Sequence, residues 1–168
     1  EKVIYDTLLC ALYNAERKVV ITTPYFVPDD PLLTALTTAA RRGVEVTLVL
    51  PYKVDSAMVR YASQAYYPML LKAGVKIALF KEGLLHAKTM TIDDKLSLFG
   101  TVNMDMRSFF LNLEVSLAIY DEAITQMILQ QQQAYLAKSE YVTVKAWKMR
   151  SKWWSLVENS VRLVGPLL

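Results

Sequence analysis

Up to residue 82 the chain alternates helix-spaced and strand-like apolar stretches; from residue 84 three strand-like stretches follow one another with no helix between them. That change of rhythm is the strongest constraint on the fold. Residues 3–17 place Ile4, Leu8, Leu12 and Ala15 at helical spacing, and KVVITT (18–23) reads as a short buried strand. In PYFVPDDP, Asp30 ahead of Pro31 is expected to cap a helix that Gly43 closes. VEVTLVL is the next strand. Asp55 is expected to cap a second helix toward Gly74, kinked or split by Pro68, and VKIALF is the third strand. LLHAKTMTI, LSLFGTV and LEVSLAIY then form a hairpin, turning at DDK, and one further strand. Asp121 caps a last core helix, in which QQQQ reads as a solvated face. The order α, β, α, β, α, β, β, β, β, α predicts an α/β fold, a mixed sheet covered by helices. No repeat or linker divides it.

Composition narrows the chemistry. With 54% apolar residues in 168, the chain can bury one sizeable core. Cys10 and His86 stand alone, which excludes an intrachain disulfide, a cysteine zinc site and a His-rich metal site. Chemistry without metal or cofactor is the expectation. The net charge of +3 is too small to mark a nucleic-acid binder, but it is uneven: residues 138–168 carry six basic side chains against two acidic, leaving the rest about neutral. No run of about 20 apolar residues is present to span a bilayer. Opening on Glu1 rather than Met, the chain is expected to be a piece of a longer polypeptide.

A lone histidine in a strand pattern is ordinarily a core or edge residue. Here its neighbours argue otherwise. His86 and Lys88, at i and i+2, point to one side of a strand, about 7 Å apart along the backbone. The hairpin partner runs into GTVNMD, where Gly100 permits close backbone approach and Thr101 and Asn103 offer a hydroxyl and an amide. Imidazole, ammonium, hydroxyl and amide together suit a tetrahedral oxyanion such as phosphate.

His86, Lys88 and Asp93 form H-x-K-x-x-x-x-D, and with GTVN following, the segment resembles the HKD motif of the phospholipase D superfamily. ITTPYFVPDD, AARRGVEVTLVLP, the stretch from GLLHAKTM to LAIYD and the terminal PLL are similar to the carboxy-terminal half of bacterial cardiolipin synthases. The resemblance implies a phospholipase D-like half-domain over 1–140. It implies transfer of a phosphatidyl group between two phosphatidylglycerol molecules, through a phosphohistidine, to give cardiolipin and glycerol. His86, Lys88 and Asp93 are then the catalytic set, Thr101 and Asn103 bind the phosphate, and Glu114 accepts the other ring N–H of His86 and fixes its tautomer. Asp93, odd in parity to His86 and at a turn, reads as a backbone-binding orienter rather than a proton carrier.

One histidine is half of a two-histidine site. The expected partner is a missing amino-terminal half with a second HKD motif, or a second copy of this chain. Tyr25 and Phe26 follow a strand end and either line a lipid channel or pack in the core; Arg107 either binds a second phosphate or pairs with Asp105. Residues 141–168 form an expected amphipathic helical tail, with Trp153, Leu156, Val157, Val161 and Val164 on one stripe, that meets an anionic membrane surface or packs internally. The resemblance places the parent protein at the bacterial inner membrane through parts absent from this chain. Three competing readings are phosphodiester hydrolysis, a single-HKD homodimeric nuclease and a non-catalytic lipid-binding module. The acidic VPDDP near the site argues against nucleic acid.

Overall fold

The structure is a computed structural model that describes residues 3–150, 153, 154, 158, 160 and 161. Helix α1 (Val3–Asn14) feeds β1 (Lys18–Thr22). The short β2 (Phe26–Val27) leads to α2 (Asp30–Arg41), then β3 (Glu45–Pro51), α3 (Ala57–Ala73) and β4 (Lys76–Phe80). The hairpin β5 (Thr89–Ile92) and β6 (Leu96–Gly100) follows, then β7 (Met104–Asp105), α4 (Met106–Phe110) and β8 (Ser116–Ile119). Helix α5 (Glu122–Ala137), β9 (Ser139–Tyr141) and α6 (Val144–Lys148) complete the described elements. The main sheet runs β8-β6-β5-β1-β3-β4-β9, and β2 pairs with β7 apart from it. β1, β3 and β4 are parallel, as helical crossovers require, while β5, β6, β8 and β9 are antiparallel to their neighbours. The mixed sheet read from the sequence is therefore present.

Alternation divides the core. Val19 and Ile21 of β1 join the larger cluster with Leu8 and Leu12 of α1, Leu32 and Leu36 of α2 and Leu70 of α3. Val20 joins a smaller one on the other face, with Val49, Phe80, Leu85 and Leu129 of α5. Among the described residues, no helix is long and apolar enough to cross a membrane.

Several local expectations need correction. Asp29, not Asp30, caps α2, because its extended backbone (φ −78°, ψ 174°) lets its side chain accept from Leu32 N while Asp30 is already helical. Ser56, not Asp55, caps α3, accepting from Val59 N, since the Asp55 carboxylate accepts from the Tyr25 hydroxyl instead. Pro68 neither ends nor splits α3; it lies exposed, where water can take the carbonyl that its missing N–H leaves unbonded. QQQQ is not wholly solvated. Gln130, Gln131 and Gln133 are exposed, but Gln132 is buried: its Nε2 donates to Val20 O (3.1 Å) and Thr89 Oγ1 (3.0 Å), and its Oε1 accepts from Thr91 Oγ1 (2.7 Å).

Candidate active site

The β5–β6 hairpin carries the site, but its strand starts later than LLHAKTMTI suggests. Thr89 is the first residue of β5, opposite the last residue of β1, Thr22, and Pro24 ends the neighbouring strand's course. Residues 84–88 therefore extend past β1. On the other side Lys88 O still accepts from Gly100 N at 3.3 Å. Lys88 continues the row of Met90 and Ile92, its surroundings including Ile4, Leu8 and Val102. Its Nζ donates to His86 O at 2.8 Å. Burial pushes the Lys88 ammonium below its ordinary value, while the charges of Glu114 and Asp105 act in the opposite direction.

His86 is exposed, and among the described residues none hydrogen-bonds its ring. The expected bond to Glu114 is not formed: Glu114 Oε1 accepts from Asn112 Nδ2 at 3.1 Å, and its charge faces Lys88. The carboxylate whose field His86 does share is Asp55. Its carboxyl is held below the usual range first by the Tyr25 hydroxyl, which donates to both oxygens (2.9 and 2.7 Å), with His86 adding a smaller effect in the same direction.

Asp93 sits at the far end of β5, roughly 17 Å of strand from Lys88. Its Oδ1 accepts from the backbone N–H of Arg17 and of Lys18 and its Oδ2 from that of Glu16, each at 2.8 Å, tying the hairpin turn to the α1–β1 connection. Arg17 Nη2 adds a bond to Asp93 O at 2.9 Å. Burial raises this carboxyl, but the three N–H donors and Arg17 outweigh it and hold it below the usual range. Asp93 and Asp94 both have positive φ (51° and 62°), the sign a tight hairpin turn of this twist requires. The backbone-orienting reading of Asp93 matches this geometry.

The GTVN element is turned differently from expectation. The approach that Gly100 permits is that of β8: a Cβ there would collide with Val115 O and lie 2.7 Å from Ser116 Cα. Thr101 Oγ1 accepts from Val115 N at 3.0 Å and so belongs to the same strand contact, not to an open pocket. Asn103 Nδ2 donates to Ser108 Oγ at 3.0 Å, leaving Oδ1 buried without a partner among the described residues. Asp105, beside both, caps α4 through Ser108 N (2.6 Å), and burial pushes its carboxyl up.

Tyr25, Asn103, Asp105 and Arg107 line one cleft of about 390 Å³. Among the described residues Arg107 makes no ion pair with Asp105. Phe26 is fully buried and belongs to the core. Sequence reading gave Asp55 only as a helix cap, Asp105 only as a partner for Arg107, and Gln132 as part of a solvated face. For Gln132 a signal existed, since Thr125, Leu129 and Gln132 fall at i, i+4 and i+7 and are the buried residues of α5.

Residues 8–136 match the family described as "Cardiolipin synthase, PLD-like domain". The chain belongs to this family. Over all 168 residues it is 46% identical to cardiolipin synthase A of Erwinia tasmaniensis and 45% identical to that of Pectobacterium carotovorum. It spans about 35% of the length of each. The fold is that of Nuc from Salmonella typhimurium, a phospholipase D family member (TM-score 0.74, 18% identity, 83% of this chain and 90% of that one). It is also that of phosphatidylserine synthase from Haemophilus influenzae (TM-score 0.77, 16% identity, 98% and 44%). These two likenesses concern the fold alone.

Proposed function

We propose that this cardiolipin synthase family chain supplies one half of a phosphatidyltransferase site that joins two phosphatidylglycerol molecules into cardiolipin and releases glycerol. The observation that carries the reading is the pairing of His86 with Lys88 at the open end of β5, on a chain nearly half identical to cardiolipin synthases throughout its length. Transfer proceeds in two displacements at phosphorus. One imidazole of a facing pair attacks and forms an N–P bond while the other gives its proton to departing glycerol. The second imidazole then takes the proton from a head-group hydroxyl of the second phosphatidylglycerol, whose oxygen displaces the first imidazole from phosphorus to give cardiolipin. His86 is one of that pair. Lys88 turns its ammonium from the His86 carbonyl to the non-bridging oxygens, where charge develops. Phosphorus keeps its oxidation state, and no nucleotide is consumed.

The partner imidazole comes from a second HKD half or from a second copy of this chain. An apolar surface beside the site supports such a partner: Leu113, Val115 and Leu117 leading into and along edge strand β8, with Phe99 opposite Leu117, are all at least half exposed. The working place is an anionic bilayer surface, and residues 141–168 remain the proposed amphipathic tail. Of its stripe, Trp153 is exposed and Val161 packs against the larger core; Leu156, Val157 and Val164 lie outside the described residues. The test is product analysis with the intact polypeptide that contains this chain and phosphatidylglycerol labelled in its head group. Cardiolipin plus labelled glycerol is expected. Phosphatidic acid as the main product would make the protein a hydrolase, and an unphosphorylated histidine with no product would leave only lipid binding.

A further inference from the structure

The start of α3, the connections that leave β1 and β3, and the residues of and just after α6 enclose a second cleft, of about 320 Å³. Its walls are largely apolar, with Phe26, Val54, Val59, Leu79 and Trp147 among them. Two guanidinium groups line it as well. Arg150 is committed: it lies 3.8 Å over the Trp147 ring and its Nη2 donates to the buried Glu158 at 2.6 Å. Arg60 is exposed, and none of the ion pairs among the described residues involves it.

Tyr52 of the wall, the neighbours of the lining in sequence, and Trp154, which reaches Tyr61 beside Arg60, have a consistent character. Tyr52, Met58, Met149 and Trp154 are large apolar side chains 44–77% exposed, and Lys53 and Lys148 are exposed cations. Trp154 is held there by stacking on Tyr61 (5.5 Å, 18°). Of the nearby acids, Glu158 is paired with Arg150 and Asp55 is hydrogen-bonded by Tyr25. An open apolar cleft rimmed by aromatic and cationic groups favours an occupant with an apolar chain and a negative head. A basic protein surface is repelled by the same rim. The cleft also shares Val59 with the cleft of Tyr25, Asn103 and Arg107, so an occupant here borders the site.

We propose that this cleft takes one acyl chain of an anionic phospholipid, with Arg60 on the lipid phosphate, and seats this face of the protein on a lipid surface. The inference rests on the phospholipid reading above for the choice of lipid, but not on turnover. Trp147, Trp153 and Trp154 are the three tryptophans of the chain, so replacing the latter two by Phe leaves Trp147 as the single reporter in the cleft wall. With vesicles of phosphatidylglycerol carrying bromine in mid-chain, Trp147 emission is expected to fall by about half relative to unbrominated vesicles. Arg60→Glu should weaken vesicle association about tenfold, and Val59→Trp, read by sedimentation with vesicles, should do the same by filling the cleft. Binding without Trp147 quenching, or equal binding to phosphatidylcholine vesicles, overturns the proposal. So does an absence of binding, the result expected if another part of the polypeptide fills the cleft. Quenching that persists in His86→Ala separates the lipid site from turnover, and quenching by a wild-type protein that makes no cardiolipin keeps the lipid site and removes only the transferase reading.

Discussion

The two ends of strand β5 are built in opposite ways. At its start His86 is exposed, none of the described residues hydrogen-bonds its ring, and Lys88 is tethered to a neighbouring carbonyl; at its end Asp93 takes three backbone N–H groups and anchors the turn. Four residues of strand separate them. One short motif thus spans a reactive end, which must accept a ligand, and an architectural end, which must not move. Spacing alone makes the three residues look like one constellation, and geometry separates them.

The sharpest way to break this contrast is at His86. His86→Ala in the intact protein should lower turnover on the order of 10⁴-fold with an unchanged unfolding midpoint, since no other imidazole in the chain can replace it. Retention of about a tenth of wild-type turnover would sink the assignment. Lys88→Ala should cost about 10³-fold, and Lys88→Arg should recover part of that in kcat, because the charge returns with a different shape.

The residues that brace β5 along its length and at its turn should respond in stability instead. Gln132→Leu leaves the Thr89 and Thr91 hydroxyls and the Val20 carbonyl without their partner, and should lower unfolding free energy on the order of 3 kcal/mol by urea titration. Asp93→Ala should cost about 2 kcal/mol while the protein that remains folded keeps its turnover. A loss of turnover at Asp93 with unchanged stability would reverse the comparison. The pH dependence has a definite sign. The Asp93 carboxyl is depressed in the folded state, so its contribution is complete above the ordinary carboxylate value of about 4 and is lost as pH falls toward the folded value. Wild type should therefore lose stability below about pH 4 more steeply than Asp93→Asn, measured as urea midpoints across that range.

Much of this was legible in the chain. Apolar period separated the helices from every strand of the main sheet except β9, and two aspartates between strand-like stretches marked the hairpin turn. The pairs β2–β7 and β4–β9 were not legible, because strands of two or three residues carry no period and are held by partners distant in sequence. The cap of α2 fell one residue early for a related reason: with Asp29 and Asp30 adjacent, backbone angle decides which one caps. The contacts of Asn103 with Ser108 and of Glu114 with Asn112 were not legible either, since Ser108 and Asn112 come from the α4 turn that sequence reading passed over. Side-chain direction at such points is settled by local competition among hydrogen-bonding groups, which residue type and spacing do not encode.

Gly100 has a consequence beyond its own contact. Opposite Ser116, β8 approaches so closely that no side chain fits, and the residues on either side, Phe99 and Thr101, both carry a Cβ. Sliding β8 by one place would bring one of those carbons into the gap and would also turn every β8 side chain to the opposite face. The hairpin therefore indexes its neighbour like a keyed slot, admitting one alignment and rejecting the adjacent ones. Glu114 precedes the slot by two residues, so the negative charge facing Lys88 is assigned its place by an absence of side chain fourteen residues upstream.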